Sequence, residues 1–182
     1  MLIGINDEID GLDYSFIKMT HKEFEKLMFE KFKEIFQDHS KPMSQTCMCW
    51  GLSVGIGWAP LLYKVCSQLD VIRKVSGIFP IADQVKEKFG GLRFYYHIAS
   101  PVSRVNDEED KDEAIWIGLI EDIINKAEKD SYRICGSCGK FVRHKRIDLG
   151  WVYDQCSTCL IKEKPELKEA VEEWLKENGE ET

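Results

Sequence analysis

The sequence predicts an α+β protein in which helices pack on a small antiparallel sheet, followed by a zinc-ribbon module and a terminal helix. Apolar residues recur at helical spacing in several segments, two strand-like runs flank Gly90-Gly91, and two Cys-x2-Cys pairs lie in the last third of the chain. We expect residues 1–131 to form the α+β core domain, with a β-hairpin at about 83–98. Residues 132–182 are expected to form the zinc ribbon and the C-terminal helix, packed on that core.

The first two helices are indicated by residues at their ends. Thr20 and Glu23 match a capping box, and the apolar spacing that follows predicts a helix to about Gln37. Pro60 is well placed to begin a second helix, and Gly77 is well placed to end it. The uncharged segment 47–58 between these helices predicts a buried strand or a packed loop.

The hairpin and two further helices complete the predicted elements. Gly-Gly suits a two-residue turn with positive φ, so the turn is expected at Gly90-Gly91. A third helix is predicted from about Lys111 to Lys129, and Pro165 begins a last helix. The apolar face predicted for the third helix comprises Ile115, Trp116, Leu119, Ile120, Ile123 and Ala127.

Composition and charge exclude several classes of protein. The chain has 182 residues, of which 43% are hydrophobic and 31% charged, which is typical of a globular domain and not of a disordered or fibrous chain. The net charge of −7 opposes attraction of the whole chain to nucleic acid or to an anionic membrane. The chain has no apolar run of membrane-spanning length and no secretory signal pattern at its start, so we expect a cytoplasmic protein without a membrane partner.

The cysteines predict a metal site. Cys135-x2-Cys138 and Cys156-x2-Cys159 are separated by the 17 residues 139–155, which is the spacing of a four-thiolate zinc site. In a reducing cytoplasm such cysteines serve as ligands more often than as disulfides. Four protein ligands leave no open position for water, so the predicted Zn²⁺ is structural. Iron in the same geometry and a redox dithiol pair are the alternatives.

The remaining three cysteines, Cys47, Cys49 and Cys66, lie among apolar residues and are expected to belong to the core. A second metal site that uses His39 with these thiols is the less favoured alternative.

Basic residues between the cysteine pairs are candidate nucleic-acid contacts. They are Lys140, Arg143, Lys145 and Arg146, four cations within seven residues beside the aromatic Phe141, and such a cluster could contact phosphates. The alternative is that these side chains are solvated and offset the charge of a zinc tetrathiolate.

The hairpin has one polar face that could bind an anion or a partner. With the turn at Gly90-Gly91, Lys88 pairs with Arg93, and this like-charge pair requires compensation. The compensation could come from the acidic segment 107–110, from solvent, or from an acidic ligand or partner. The candidate binding residues on this face are Lys86, Lys88, Arg93, Tyr95 and His97.

Glu87 is expected on the opposite, apolar face of the hairpin, either in a salt bridge or as a candidate acid or base. We find no nucleophile–base arrangement and no phosphate-cradling glycine loop, so the sequence leans against an enzyme and assigns no catalytic residue.

Three segments of the chain resemble a group of small proteins from bacteria and phages. They are Trp50-Gly51 with Gly57-Trp58, the run from Gln84 to Tyr95, and the cysteine pairs with Gly150-Trp151 between them. Relatives often carry acidic residues between the two tryptophans, whereas this chain has Ser53, Val54 and Ile56. The resemblance implies a bacterial or phage-infected cytoplasm and carries no activity with it.

Three functions are open from the sequence. The leading hypothesis is a non-enzymatic, zinc-stabilised binding protein that engages a host or cellular protein, in a phage setting as a host-takeover or anti-defence factor. The first alternative is a nucleic-acid-binding zinc ribbon, and the second is a small anionic ligand binder or enzyme that uses the hairpin face. The oligomeric state does not follow from the sequence.

Overall fold

The computed structural model describes residues 12–99, 109–143 and 146–178. Within them lie five α-helices and a three-stranded mixed sheet, and this confirms the predicted α+β class. The helices are α1 (His21–Lys31), α2 (Ala59–Ser76), α3 (Glu109–Ser131), α4 (Ser157–Glu163) and α5 (Lys168–Glu177), and the strands are β1 (Leu52–Ser53), β2 (Phe79–Lys88) and β3 (Gly91–Ala99). Among the described residues, none of the helices combines the length and the apolar character needed to cross a membrane.

The sheet is mixed, which differs from the antiparallel sheet expected from the sequence. The strand order is β1-β2-β3, with β1 parallel to β2 and β2 antiparallel to β3. Leu52 of β1 pairs with Val85 of β2. The chain leaves β1, passes through α2 and returns as β2, and a crossover of this kind is what a parallel pair requires. Two residues of the uncharged segment 47–58 therefore form a strand, and most of the rest form two short 3-10 helices.

Helix α1 begins as predicted and ends early. The Thr20 side chain and the Glu23 carboxylate form both halves of the capping box. The helix ends at Lys31 instead of near Gln37. Beyond it, the Ile35 carbonyl oxygen accepts a hydrogen bond of 2.8 Å from the Ala82 N–H, where β2 bulges. This carbonyl therefore bonds to the sheet instead of to a further turn of helix.

Helices α2 and α3 carry most of the packing against the sheet. Pro60 lies in the first turn of α2, and Gly77 ends the helix with φ of +76°, as predicted. Helix α3 packs on α2 and β3 through buried Ile120 and other residues. The predicted inward positions of Ile115 and Leu119 are wrong, because both side chains are exposed, whereas Ile120 next to Leu119 is buried.

The hairpin turn lies one residue earlier than predicted. Lys88 pairs with Gly91, so the two turn residues are Phe89 and Gly90, with φ of +54° and +73°. Gly91 is needed for another reason: a Cβ atom there would lie 2.4 Å from Cζ of Tyr132. The pairing shifts by two residues, so the paired residues next to the turn keep their predicted faces, whereas Phe89 lies in the turn and is exposed instead of on the apolar face.

The outer edge of β3 is covered by the end of α3. The Leu92 N–H donates to Ser131 Oγ at 2.9 Å, and the Phe94 N–H donates to Glu128 Oε1 at 2.9 Å. These side chains satisfy backbone groups that an exposed edge strand offers to other chains. The hairpin is therefore held by α3 as well as by its own ladder.

The C-terminal segment has its own small apolar cluster, which comprises Ile147, Leu160, Val171 and Leu175. The C-terminal segment is joined to the rest of the chain by a backbone hydrogen bond with the residues that precede α2. The Gly57 N–H donates to the Gly136 carbonyl oxygen at 2.7 Å. The proposed division at residue 131 stays a prediction.

Candidate metal centre and adjoining surface

The four paired cysteines form a candidate metal centre. The sulfur atoms of Cys135, Cys138, Cys156 and Cys159 all lie within 4.8 Å of one another. The Sγ atoms of Cys138 and Cys156 are 3.9 Å apart. Zn–S bonds of about 2.3 Å in a tetrahedron place sulfurs about 3.8 Å apart, so this separation fits a tetrahedral four-thiolate site. The arrangement can hold a metal ion.

Each cysteine pair is positioned by a different local structure. Cys135 and Cys138 flank a turn, whereas Cys156 is the N-cap of α4 and Cys159 lies in its first turn. Among the described residues, the strand pairing around the cysteines consists of two isolated bridges: Ile134 with Phe141, which encloses the first pair, and Asp148 with Val152, which lies between the pairs. The expected ribbon hairpin is therefore reduced to two local pairings, and the second ligand pair depends on a helix.

The site favours a thiolate at Cys135. A hydrogen bond from the Cys156 thiol, followed by backbone N–H groups of Cys138 and Cys156, lowers the pKa of Cys135 to about 4, against the effect of burial. The Cys156 N–H lies 3.2 Å from the Cys135 sulfur. Metal ligands of this type must be deprotonated, so the hydrogen bonds from the Cys156 thiol and from the backbone prepare this cysteine to bind a cation.

Arg146 lies inside the protein and not on a phosphate-binding surface. Its guanidinium donates to the carbonyl oxygens of Ser131, Ile134 and Asp154, with distances of 2.7 Å to the last two. Burial lowers the pKa of Arg146, while the charges of Asp154 and Cys135 act to raise it. This residue therefore does not fit the predicted phosphate contact, and its role is to connect α3 to the cysteine module.

The other predicted phosphate contacts are divided by the structure. Lys140 and Arg143 are exposed on the segment after Cys138. Lys145 lies outside the described residues. Of the four predicted basic contacts, the structure therefore places two, Lys140 and Arg143, at the surface.

The predicted polar face of the hairpin is present, with a changed pairing. Lys86, and not Lys88, lies opposite Arg93. The Lys86 ammonium lies over the Tyr95 ring at 5.5 Å, and that of Lys88 lies over the Phe89 ring at 5.2 Å. The two lysines therefore pack along aromatic rings, a placement that stabilises a cation.

Arg93 and His97 have partners within the chain. Arg93 donates to the Tyr132 hydroxyl at 2.7 Å and lies 3.8 Å from a Glu128 oxygen. His97 Nδ1 lies 2.8 Å from Asp83 Oδ1. The like-charge pair of Lys86 and Arg93 is therefore compensated by Glu128 of α3. The acidic segment 107–110, which the sequence offered for this role, has its side chains outside the described residues.

Glu87 stabilises the hairpin turn. Its Oε1 atom accepts a hydrogen bond of 2.6 Å from the Gly90 N–H. The charge of Glu87 also contributes to a raised pKa of Asp154, after the larger effect of burial. Both contacts are structural, so they do not support the predicted role of Glu87 as a catalytic acid or base. Glu87 also lines a cleft that the sequence did not predict.

This cleft separates the hairpin turn from the loop before Cys156. Its volume is about 370 Å³, and it is lined by Glu87, Lys88 and Phe89 on one side and by Asp148, Trp151 and Val152 on the other. The exposed fractions of Phe89 and Trp151 are 66% and 67%. In the sequence, Gly150-Trp151 stands out only through its resemblance to other proteins. The signal available in the sequence was an aromatic residue directly after the turn glycine Gly150.

The three other cysteines form no second cluster. Cys66 is fully buried, Cys47 is exposed, and Cys49 donates a weak hydrogen bond to the Thr46 carbonyl oxygen at 3.3 Å. The expectation of a core position is thus met by Cys66 and contradicted for Cys47. Within the described part of the chain, only the four paired cysteines bring three or more ligand atoms together.

Comparison with known proteins adds no relative. No protein-family model, curated protein or solved structure matches this chain. The class of protein is therefore defined by the fold and the site: an α+β protein with a four-cysteine candidate metal centre next to an aromatic cleft.

Proposed function

We propose that this chain is a non-enzymatic, zinc-stabilised binding protein that engages another protein through the cleft between Phe89 and Trp151. The observation that carries the proposal is the exposure of these two large aromatic side chains on facing turns. Aromatic side chains that are exposed in a free protein and become buried on association supply much of the energy of protein interfaces.

The backbone at Phe89 supports this role. The residue has φ of +54°, a conformation that turns of this type usually give to Asn, Asp or Gly. A phenylalanine there holds a large ring in solvent at a conformational cost. Residues held in sparsely populated backbone conformations cluster at binding and catalytic sites.

Zinc is the proposed metal because the donor set is four thiolates at Cys-x2-Cys spacing. In this proposal the ion is structural. It joins α4 to the turn at Cys135, and the loop that carries Trp151 lies between these ligands. The metal thus fixes one wall of the cleft relative to the other, and removing it would disorder the binding surface without abolishing a reaction.

The proposed setting is the cytoplasm of a bacterial or phage-infected cell. A reducing compartment suits the thiolate site, and the resemblance of three segments to bacterial and phage proteins agrees with this setting. In a phage the protein would act as a host-takeover or anti-defence factor. The partner is a protein, because the net charge of −7 and the internal use of Arg146 weaken a nucleic-acid interface.

The test is capture of partners from bacterial lysate at low salt, with and without nuclease, by the zinc-loaded chain. A variant with Phe89→Ser and Trp151→Ser tests the cleft. Trp50→Ser is the matched control, since Trp50 is 65% exposed and does not line the cleft.

One protein at fixed stoichiometry that resists nuclease, persists with Trp50→Ser and is lost with the double variant supports the proposal. Nucleic acid alone, with binding that weakens steeply with salt, overturns it in favour of Lys140 and Arg143. A chain that captures nothing, or a double variant that captures as well as the natural protein, also overturns it.

A further inference from the structure

We infer that the cleft between Phe89 and Trp151 receives a lysine or arginine side chain from a basic segment of the partner protein. This inference rests on the proposed function and adds the chemistry of the partner. It follows from the aromatic rings, the carboxylates and the dimensions of the cleft.

The aromatic wall offers a place for a cation. Tryptophan gives the strongest cation–π attraction of the aromatic side chains. The Trp151 indole makes no ring, cation or hydrogen-bond contact with the described residues, whereas the ring of Phe89 already lies under the Lys88 ammonium at 5.2 Å. The open ring is therefore that of Trp151, and the existing contact at Phe89 shows the same chemistry within the chain.

Two carboxylates face the same space. Glu87 Oε1 accepts from the Gly90 N–H at 2.6 Å, and Asp148 Oδ1 accepts from the Gly150 N–H at 3.0 Å. Each group thus uses one oxygen to hold a turn, and the other oxygen makes no hydrogen bond with the described residues. A guanidinium or ammonium beside Trp151 would donate hydrogen bonds to these free oxygens.

The charge of the lining distinguishes a cation from an anion. Glu87 and Asp148 oppose the single Lys88, so the lining carries one net negative charge. Arg93 of the predicted anion-binding face is already bound to Tyr132 and lies near Glu128. An anionic occupant would meet two carboxylates and one ammonium. For a cationic side chain the same three groups give a net attraction, because two carboxylates attract it and one ammonium repels it.

The volume agrees with one side chain and its neighbouring backbone. About 370 Å³ lies near the lower end of the range of about 300 to 1,000 Å³ for small-molecule sites. The chain as a whole has a net charge of −7, which attracts a basic partner segment before it docks.

The direct experiment is an NMR titration of the zinc-loaded protein with N-acetyl-arginine amide and with its neutral isostere N-acetyl-citrulline amide. The Trp151 indole N–H resonance is assigned by its loss in Trp151→Phe. We expect a saturable shift of this resonance with the arginine probe and at least tenfold weaker binding of citrulline. Equal binding of the two probes, or an equal shift of the Trp50 indole, overturns the inference.

Charge-neutral variants test the carboxylates. Glu87→Gln with Asp148→Asn keeps an oxygen for each turn hydrogen bond and should weaken arginine binding at least fivefold. Glu30→Gln, an exposed carboxylate on α1, is the control and should bind normally. Unchanged binding in the double variant overturns the inference.

Partner capture separates the two proposals. If the Glu87→Gln and Asp148→Asn variant captures the protein partner as well as the natural chain while Phe89→Ser with Trp151→Ser does not, the partner binds the cleft but inserts no cation. The inference then fails and the proposed function stands. If both double variants capture the partner normally, the proposed function fails at this surface.

Discussion

The Trp58 indole N–H donates a hydrogen bond to the Ile134 carbonyl oxygen 2.9 Å away. Trp58 is fully buried, and Ile134 directly precedes the first cysteine of the metal centre. This bond and the neighbouring one from the Gly57 N–H to the Gly136 carbonyl oxygen join the segment before α2 to the metal centre. The position of the centre therefore depends on the packing of the core, and the core segment depends on the centre.

Substitution of Gly57 should disrupt this junction. A Cβ atom at Gly57 would lie 2.2 Å from the Cys135 carbonyl oxygen and 2.6 Å from the Gly139 nitrogen. Both obstacles are backbone, so the chain must move. We expect Gly57→Ala to lower the free energy of unfolding by about 2 to 3 kcal/mol in urea titrations of the zinc-loaded protein.

The matched control for this change is Gly118→Ala. A Cβ atom at Gly118 would meet nothing within 4 Å, and the residue lies inside α3. Alanine is preferred there by about 0.5 to 1 kcal/mol, so this variant should be slightly more stable. Equal stability of the two variants would contradict the close contact at Gly57.

Removal of the Arg146 side chain should be more damaging than loss of a surface charge. Its guanidinium serves three carbonyl oxygens, and all of them lose a donor in Arg146→Ala. We expect the free energy of unfolding to fall by about 3 kcal/mol or more, with Arg146→Lys intermediate, because lysine cannot reproduce the planar fork. Urea titration is the measurement. Lys140→Ala, an exposed position, should change it by less than about 0.5 kcal/mol. Similar values for the two alanine variants would refute the role of Arg146.

Loss of the Ser131 hydroxyl should loosen the edge of β3. This hydroxyl is buried, accepts the Leu92 N–H and donates to the Glu128 carbonyl oxygen at 2.6 Å. Ser131→Ala leaves a buried N–H group unpaired, which costs about 1 to 3 kcal/mol. We expect faster hydrogen exchange at the Leu92 amide. The exposed Ser53→Ala variant should leave that exchange rate unchanged, and an unaltered rate in Ser131→Ala would show that the edge is held by other contacts.

Thiol labelling should separate the seven cysteines by environment. In the zinc-loaded protein we expect iodoacetamide to modify Cys47 first, because it is exposed. Burial, and then the charge of Asp70, raise the pKa of Cys66. Since the thiolate is the reactive form, raising the pH from about 7 to about 9 should speed labelling of exposed thiols and leave Cys66 unmodified. Peptide mass spectrometry identifies the sites.

Metal removal extends this experiment. A chelator that takes the ion should expose Cys135, Cys138, Cys156 and Cys159 to iodoacetamide while Cys66 stays protected by the core. A Cys47→Ser control should lose only the first modification. If the four cysteines label at the same rate before and after chelation, they do not hold a metal.

The hairpin shows where prediction from sequence reached its limit. Alternation of apolar and polar residues was sufficient to assign the paired residues near the turn to their faces. The turn itself was misplaced, because Gly90-Gly91 satisfies local turn chemistry better than Phe89-Gly90 does. Gly91 is a glycine because the Tyr132 ring packs against it, and a contact across 41 positions leaves no local signature.

Helix α3 makes a similar point. Its helical period predicts an apolar face, but Ile115 and Leu119 are exposed, whereas Trp116 and Ile120, each one position further along the chain, pack in or against the core. Which side of an apolar helix face is covered is decided by the neighbouring elements and not by the periodicity.

The α+β class, the boundaries of α2, the faces of the paired hairpin residues and the four cysteines of the candidate centre all follow from local sequence patterns. These depend on local propensity and on spacing, which act within a few residues. Three features depend on tertiary packing: Arg146 lies inside, β1 joins the sheet, and Phe89 and Trp151 line the same cleft. These features bring together residues that are far apart in the chain, and their positions depend on the packing of the whole protein.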